Sequence, residues 1–402
     1  MAGKNKKSFY GPGFLVTAAF IGPGTVTSCS LAGAHFGYAL LFVLVFAILA
    51  TLILQEMTGR LALGSQRDLA QCLREFPQRK AARLFYIILT LSSISFGCVA
   101  YEAGNIIGGS LGLEISTSVP RKYWVALITL TAIFILNKRT YRFVERFLIF
   151  LVFVMSVSFV VTAIIVKPDF VSILKGIVPS FPRNSLYLIL ALVGTTVVPY
   201  NLFLHSSAVR EKWSSLAELK YLKRDLLVSI TLGGIISMAI VVASAAAFNQ
   251  SGIPLENGIQ LAQQLRPLFG SLTNFLFGIG LFAAGMSSAL TAPYAAAYAS
   301  SGVLGWTGGT GSTPFRLIWL SVIMIGFIVS CFQLNPLAII IFAQVANGLV
   351  LPVATVFLLI VLNNRKKLGS VTNTLRQNIR GIIVALLVIG LGLWNIIKVF
   401  LK

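Results

Sequence analysis

Two short stretches put polar chemistry where a helix should run unbroken. The first is Gly22-Pro23-Gly24-Thr25, inside an apolar segment from Phe14 to about Phe36. The second is GTTVVPYN, residues 194–201, with Pro199 inside another apolar segment. Proline lacks an N–H and clashes with the preceding turn, and glycine removes the side-chain bias towards helix. Each break therefore frees backbone groups and surrounds them with hydroxyls and amides. Thr17, Thr25, Thr27 and Ser28 flank the first; Thr195, Thr196, Tyr200 and Asn201 flank the second; Gln344, in a third apolar run, adds another amide. Half-helix ends carry partial charge and can hold an ion or a polar solute. Either proline alone reads as a helix kink. The pair, each flanked by glycine and threonine, reads as one site.

Carboxylates are scarce, 11 in all, and only Glu102 lies well inside an apolar run. A carboxylate at membrane depth is a functional candidate by default. Two readings stand for Glu102: a proton acceptor, or a protonated group hydrogen-bonded to a neighbouring helix. His205, at helical spacing from Tyr200 and Asn201, reads either as lining an exit from the site or as a structural hydrogen-bonding group. Glu56 and Arg60 read as an interfacial ion pair, and Arg316 as an anchor. The four cysteines are scattered without a CxxC, so they read as apolar filler rather than a disulfide framework or zinc site. No Walker motif, dinucleotide loop or catalytic triad is present, so neither an enzyme nor a cofactor is implied.

The elements that must position these groups follow from composition. The chain has 402 residues, 57% hydrophobic and 11% charged, with a mean hydropathy of +0.89. Soluble domains carry about 25% charged residues. The chain reads as a polytopic membrane protein. Apolar runs at about 13–36, 39–58, 84–112, 123–137, 146–166, 185–208, 226–248, 272–299, 316–332, 336–363 and 381–400 give eleven helical spans. The net charge of +21 is distributed by side: 24 of the 32 Lys and Arg fall in alternate loops. By the positive-inside rule the N-terminus is cytoplasmic and the C-terminus outside, in a plasma membrane. The basic charge thus orients the protein, and no nucleic acid is needed as a partner. The partners implied are the bilayer and a small-molecule or ion substrate, with no obligate protein partner evident. MAGKNKK resembles the basic start of a signal peptide, but the apolar run behind it is too long and is interrupted by proline. Residues 59–83 read as an amphipathic surface helix, and 305–314 as a flexible linker.

If spans one to five and six to ten are copies of one unit, the breaks in spans one and six are equivalent, and such paired interruptions point to a transporter's substrate site. GPGFLVTAAFIGPGT, AGAHFGYALLFVL, VVPYNLFLHSS, LFAAGMSSALTAPYAAAYA and AQVANGLVLP together resemble the Nramp family of divalent-metal transporters (natural resistance-associated macrophage protein). The resemblance covers nearly the whole chain. It implies an all-α, leucine-transporter-type fold: an inverted repeat of five helices (about 10–166 and 184–363), an extra helix at about 381–400, and substrate at the breaks in helices one and six. All of this lies in a single transmembrane domain.

The metal-holding residues of that family do not carry over. Its Asp-Pro-Gly-Asn corresponds to Gly22–Thr25. The Met and His that flank its sixth-span proline correspond to Val198 and Tyr200, and the Ala that offers a carbonyl corresponds to Thr195. Gln344 alone remains of the usual side-chain ligands. The family's proton-moving Asp and Glu of span three correspond to Glu102 and Asn105, and His205 matches a second histidine of span six. Soft metals are selected by sulfur or imidazole, and a bare divalent ion needs anionic oxygen. The site residues Gly22, Gly24, Thr25, Thr195, Val198, Tyr200, Asn201 and Gln344 are neutral. By themselves they favour a proton-coupled importer of a small polar organic solute, carboxylate-bearing solutes included. The alternative is a divalent-cation carrier of altered selectivity, for example for hydrated Mg²⁺. The topology has its own test: a cysteine placed at residue 402 should label from outside intact cells, and labelling only after permeabilisation would reverse it.

Overall fold

In a computed structural model the chain is described over residues 11–77, 79–137, 141–306, 308–332 and 334–400. The calls on the first ten residues and on Lys402 lie outside the described residues. Among the described residues every regular element is helical. Span one is α1 (Pro12–Phe20) and α2 (Pro23–Phe36), which meet at 57°. There follow α3 (Leu41–Ser65), α4 (Leu69–Glu75), α5 (Lys80–Thr117), α6 (Arg121–Asn137), α7 (Tyr141–Ile165) and α8 (Phe170–Gly176). Span six is α9 (Leu186–Thr196) and α10 (Pro199–Lys212). Then come α11 (Leu219–Ser244), α12 (Arg266–Phe269), α13 (Thr273–Leu304), α14 (Thr313–Cys331), α15 (Pro336–Leu362), α16 (Arg365–Leu368) and α17 (Leu375–Phe400).

Nine of these segments are long and apolar enough to cross a membrane, and the bent pair α1–α2 makes ten. The 17-residue α6 stands where the remaining expected span falls. Proline occupies the first turn of α1, α2, α10, α14 and α15, where its missing N–H has no partner to lose. The two breaks differ. Span one turns sharply, whereas α9 and α10 run on as one 27-residue span interrupted only at Val197 and Val198.

Residues 59–83 are not one surface helix. They divide among the end of α3, the short α4 and the start of α5. Asp68 starts α4 with a capping box shared with Gln71, which outcompetes continuous amphipathic helix. Burial raises the Asp68 carboxyl above its ordinary value. Arg210 of α10 reaches both Asp68, at 3.6 Å, and Gln71, at 2.7 Å. The Leu69 N–H donates to Ser206 Oγ at 3.1 Å. The loop helix is therefore fastened to the second half of span six.

Close packing is built on small residues. A side chain on Gly285 of α13 would place its Cβ 2.5 Å from the Gly109 backbone of α5, and one on Gly112 would stand 2.5 Å from the Gly278 carbonyl. Such contacts let helix backbones approach where hydrophobic burial gives no drive between helices. The same helix meets span one: a Cβ on Gly108 would collide with Pro23. Both halves of span one are moored to α11. The Gly13 N–H donates to Asp225 Oδ2 at 2.7 Å, and Ser244 Oγ donates to the Ser30 carbonyl at 2.6 Å. Gln264, in the following 3₁₀ segment, pairs with Ser30 Oγ at 2.9 Å.

Gly285→Val should destabilise the α5–α13 contact by about 1–3 kcal/mol, the usual range for overpacking. The measurement is thermal unfolding of detergent-solubilised protein. Gly311→Ala, where a Cβ meets nothing within 4 Å, should leave the transition unmoved.

Candidate functional site at the paired helix breaks

The two breaks touch. Thr25 Oγ1 lies 2.8 Å from Thr195 Oγ1, and both residues are fully buried. Thr25 Oγ1 also donates to the Phe20 carbonyl, which accepts the Gly22 N–H at 3.0 Å as well. Tyr101, from α5, donates to the Ala19 carbonyl at 3.3 Å. In span six, Thr51 of α3 reaches the Thr196 carbonyl at 3.4 Å. Backbone freed at membrane depth survives only where protein or a polar cavity answers it. Here side chains of α2, α3 and α5 do so.

Each predicted residue has a distinct place. Gly22 is the extended residue just before α2. A Cβ there would stand 2.9 Å from Ser288 Oγ and 3.7 Å from the Tyr101 hydroxyl. The side-chain amide of Gln344 packs on Gly24, so tightly that a Cβ there would collide. Gln344 Nε2 donates to the Ile340 carbonyl at 3.3 Å, and its Oε1 is buried without a partner. Val198 is the extended residue preceding α10. Asn201 is fully buried with both amide atoms unpartnered. Tyr200 packs edge-on against Tyr101, ring centroids 5.5 Å apart, and its hydroxyl has no partner. Thr27 and Ser28 hydroxyls are likewise buried and unpartnered.

The proton-route candidates lie apart from this contact. Glu102 is fully buried with neither oxygen partnered. It presses on α14, where a Cβ on Gly326 would come within 2.7 Å of Glu102 Cγ. Its neighbour Tyr101, about 100° further round the helix at 3.6 residues per turn, is the residue that faces the break. Asn105 is buried with its Nδ2 unpartnered. His205 is enclosed between helices. It is fully buried with both ring nitrogens unpartnered, 3.3 Å from where a Gly59 Cβ would stand on α3. The Glu56–Arg60 pair is present at 3.3 Å.

Sequence reasoning missed three residues. Tyr101 satisfies the break, Ser288 fills beside Gly22, and Asn347 is buried with both amide atoms unpartnered. Asn347 follows Gln344 by three residues, a spacing that puts both on one helix face, and that signal was available. Among the described residues no three His, Cys, Asp or Glu gather. The donor set at the breaks is therefore neutral oxygen and amide.

Thr25→Ala should weaken the contact between the breaks by about 0.5–1.5 kcal/mol, the value of a neutral hydrogen bond. Thr25→Ser should retain it. Thermal unfolding of the two variants side by side checks this, and equal stabilities would contradict it.

Residues 13–398 match the family described as Natural resistance-associated macrophage protein-like, Nramp. The divalent metal cation transporter MntH of Staphylococcus saprophyticus is 30% identical over 419 residues, covering 98% of this chain and 92% of that protein. The structure of a manganese transporter from Eremococcus coleocola superposes with a TM-score of 0.78 at 23% identity, covering 96% of this chain and 85% of that one. MhsT in complex with L-phenylalanine gives 0.65 at 14% identity, covering 97% of this chain and all of that one, a likeness of fold alone. The chain belongs to the Nramp family of membrane transporters and has the leucine-transporter-type fold.

Proposed function

We propose that the chain is a secondary transporter of divalent cations with altered selectivity, which takes a hard cation such as Mg²⁺ with much of its water retained. The neutral lining, taken alone, favours an organic solute. Relatives named as divalent metal cation transporters align with 98% of the chain, and this supports the cation reading in its place. The observation that carries the altered selectivity is the donor set: Thr25 and Thr195 hydroxyls 2.8 Å apart beside the Gln344 amide. Sulfur and imidazole select the softer transition metals over hard ions, and Thr25, Thr195 and Gln344 offer neither. Mg²⁺ gives up water reluctantly and keeps several waters when bound. Neutral hydroxyls and amides suit those waters, whereas a dehydrated divalent ion would face a large desolvation penalty.

The two five-helix repeats, about 10–166 and 184–363, rock around the breaks in this reading. Gln344, Thr25 and Thr195 touch the hydrated ion, with Gln344 leaving Gly24 to do so. Glu102, buried on the α14 side of α5, accepts the coupled proton away from the cargo, with Asn105 and His205 along its route.

Flux into proteoliposomes tests this. Mg²⁺ uptake should saturate and fall at least tenfold in Gln344→Ala, while Mn²⁺ uptake stays weak. Faster Mn²⁺ than Mg²⁺ uptake would overturn the altered selectivity. No cation flux, together with uptake of a small carboxylate-bearing solute, would restore the organic reading. Glu102→Gln should abolish the acceleration of uptake by an inward proton gradient while cation binding survives. Full pH dependence in that variant would make Glu102 structural.

A further inference from the structure

A cavity of about 330 Å³ opens between α3, α11 and α17, away from the breaks. Leu52 and Ile53 of α3 and Leu227 of α11 form apolar walls, and Glu56, Lys223 and Arg380 bring charge to it. The two kinds of residue differ in depth. Lys223 lies four residues into α11 and Arg380 five into α17, about 6–8 Å from the helix starts at 1.5 Å per residue. Leu227 lies eight residues into α11, about 12 Å along it. Ile53 lies twelve residues before the end of α3, about 18 Å from that end. The cations thus sit near the ends of their helices, and the apolar walls lie further along the spans.

The charges do not balance. Glu56 is shared by Arg60 at 3.3 Å and Lys223 at 3.6 Å. Arg60 is further held by the Val371 carbonyl and by Asn373 Oδ1 at 2.6 Å. Arg380 takes no part in the ion pairs of the described residues. One carboxylate therefore stands among three cations, at the end of the spans where Lys and Arg crowd. Basic pockets between membrane helices on that side suit anionic headgroups.

We propose that this cavity binds an anionic phospholipid, its phosphate on Lys223 and Arg380 and an acyl chain along Leu52, Ile53 and Leu227. The proposal does not depend on the identity of the cargo.

The test uses the purified full-length chain, with bound lipid followed by native mass spectrometry and by thermal unfolding. Phosphatidylglycerol should bind more tightly than phosphatidylcholine and raise the unfolding temperature. Arg380→Gln should weaken phosphatidylglycerol binding about fivefold, the worth of one surface cation, without moving the lipid-free transition. Leu227→Trp, which fills the wall, should lower occupancy with the charges intact. Equal binding of the two lipids, or undiminished phosphatidylglycerol binding in Arg380→Gln, overturns the proposal. So does inorganic phosphate stabilising the chain as much as phosphatidylglycerol does, since the ligand would then be a free anion.

Discussion

A backbone amide or carbonyl in hydrocarbon has no water to turn to, and the break at Ile21–Gly22 exposes several at once. The structure answers them from four directions. Tyr101 takes the Ala19 carbonyl, Thr25 and the Gly22 N–H take that of Phe20, and Thr195 closes on Thr25 from span six. The positions of α5 and α9 are consequences of this, since each must bring its hydroxyl to the break. Gly108 on α5 allows it by leaving room for Pro23, and Gly194 on α9 by leaving room for the Gln344 backbone.

The electrostatics of the centre follow from the same residues. Thr25, Thr195 and Gln344 are neutral and Gly22 has no side chain, so the junction has dipoles but no net charge. Such a junction closes readily, because no buried like charges repel across it. The buried carboxyl of Glu102 lies on the far side of Tyr101, where it touches α14 rather than the breaks.

Much of this was legible in the residues. Apolar run lengths marked the spans because hydrocarbon thickness sets them, and Gly22–Thr25 and Pro199 marked the breaks because proline and glycine act locally. The motifs around them identified the family. What was not legible depends on contacts between distant segments. No local pattern says that Gln344 will lie on Gly24, that Ser288 will stand beside Gly22, or that His205 will be enclosed against Gly59. Residues 59–83 misled for a related reason: their helical periodicity is real, but Asp68 and Gln71 form a capping box that restarts the helix, and docking on α10 rewards the restart.

The break in span one also bears on how the chain enters a membrane. α1 has nine residues and α2 fourteen, about 14 Å and 21 Å, so neither alone covers the ~30 Å of hydrocarbon. The groups that complete them arrive late in synthesis: Tyr101 about 80 residues on, Thr195 170 residues on, Asp225 212 residues on. Until then span one is an imperfect segment, with unanswered backbone at its middle. Its residence in lipid becomes secure only when α11 is made. Span one thus calls for shelter during insertion until a segment 212 residues further along the chain has been made.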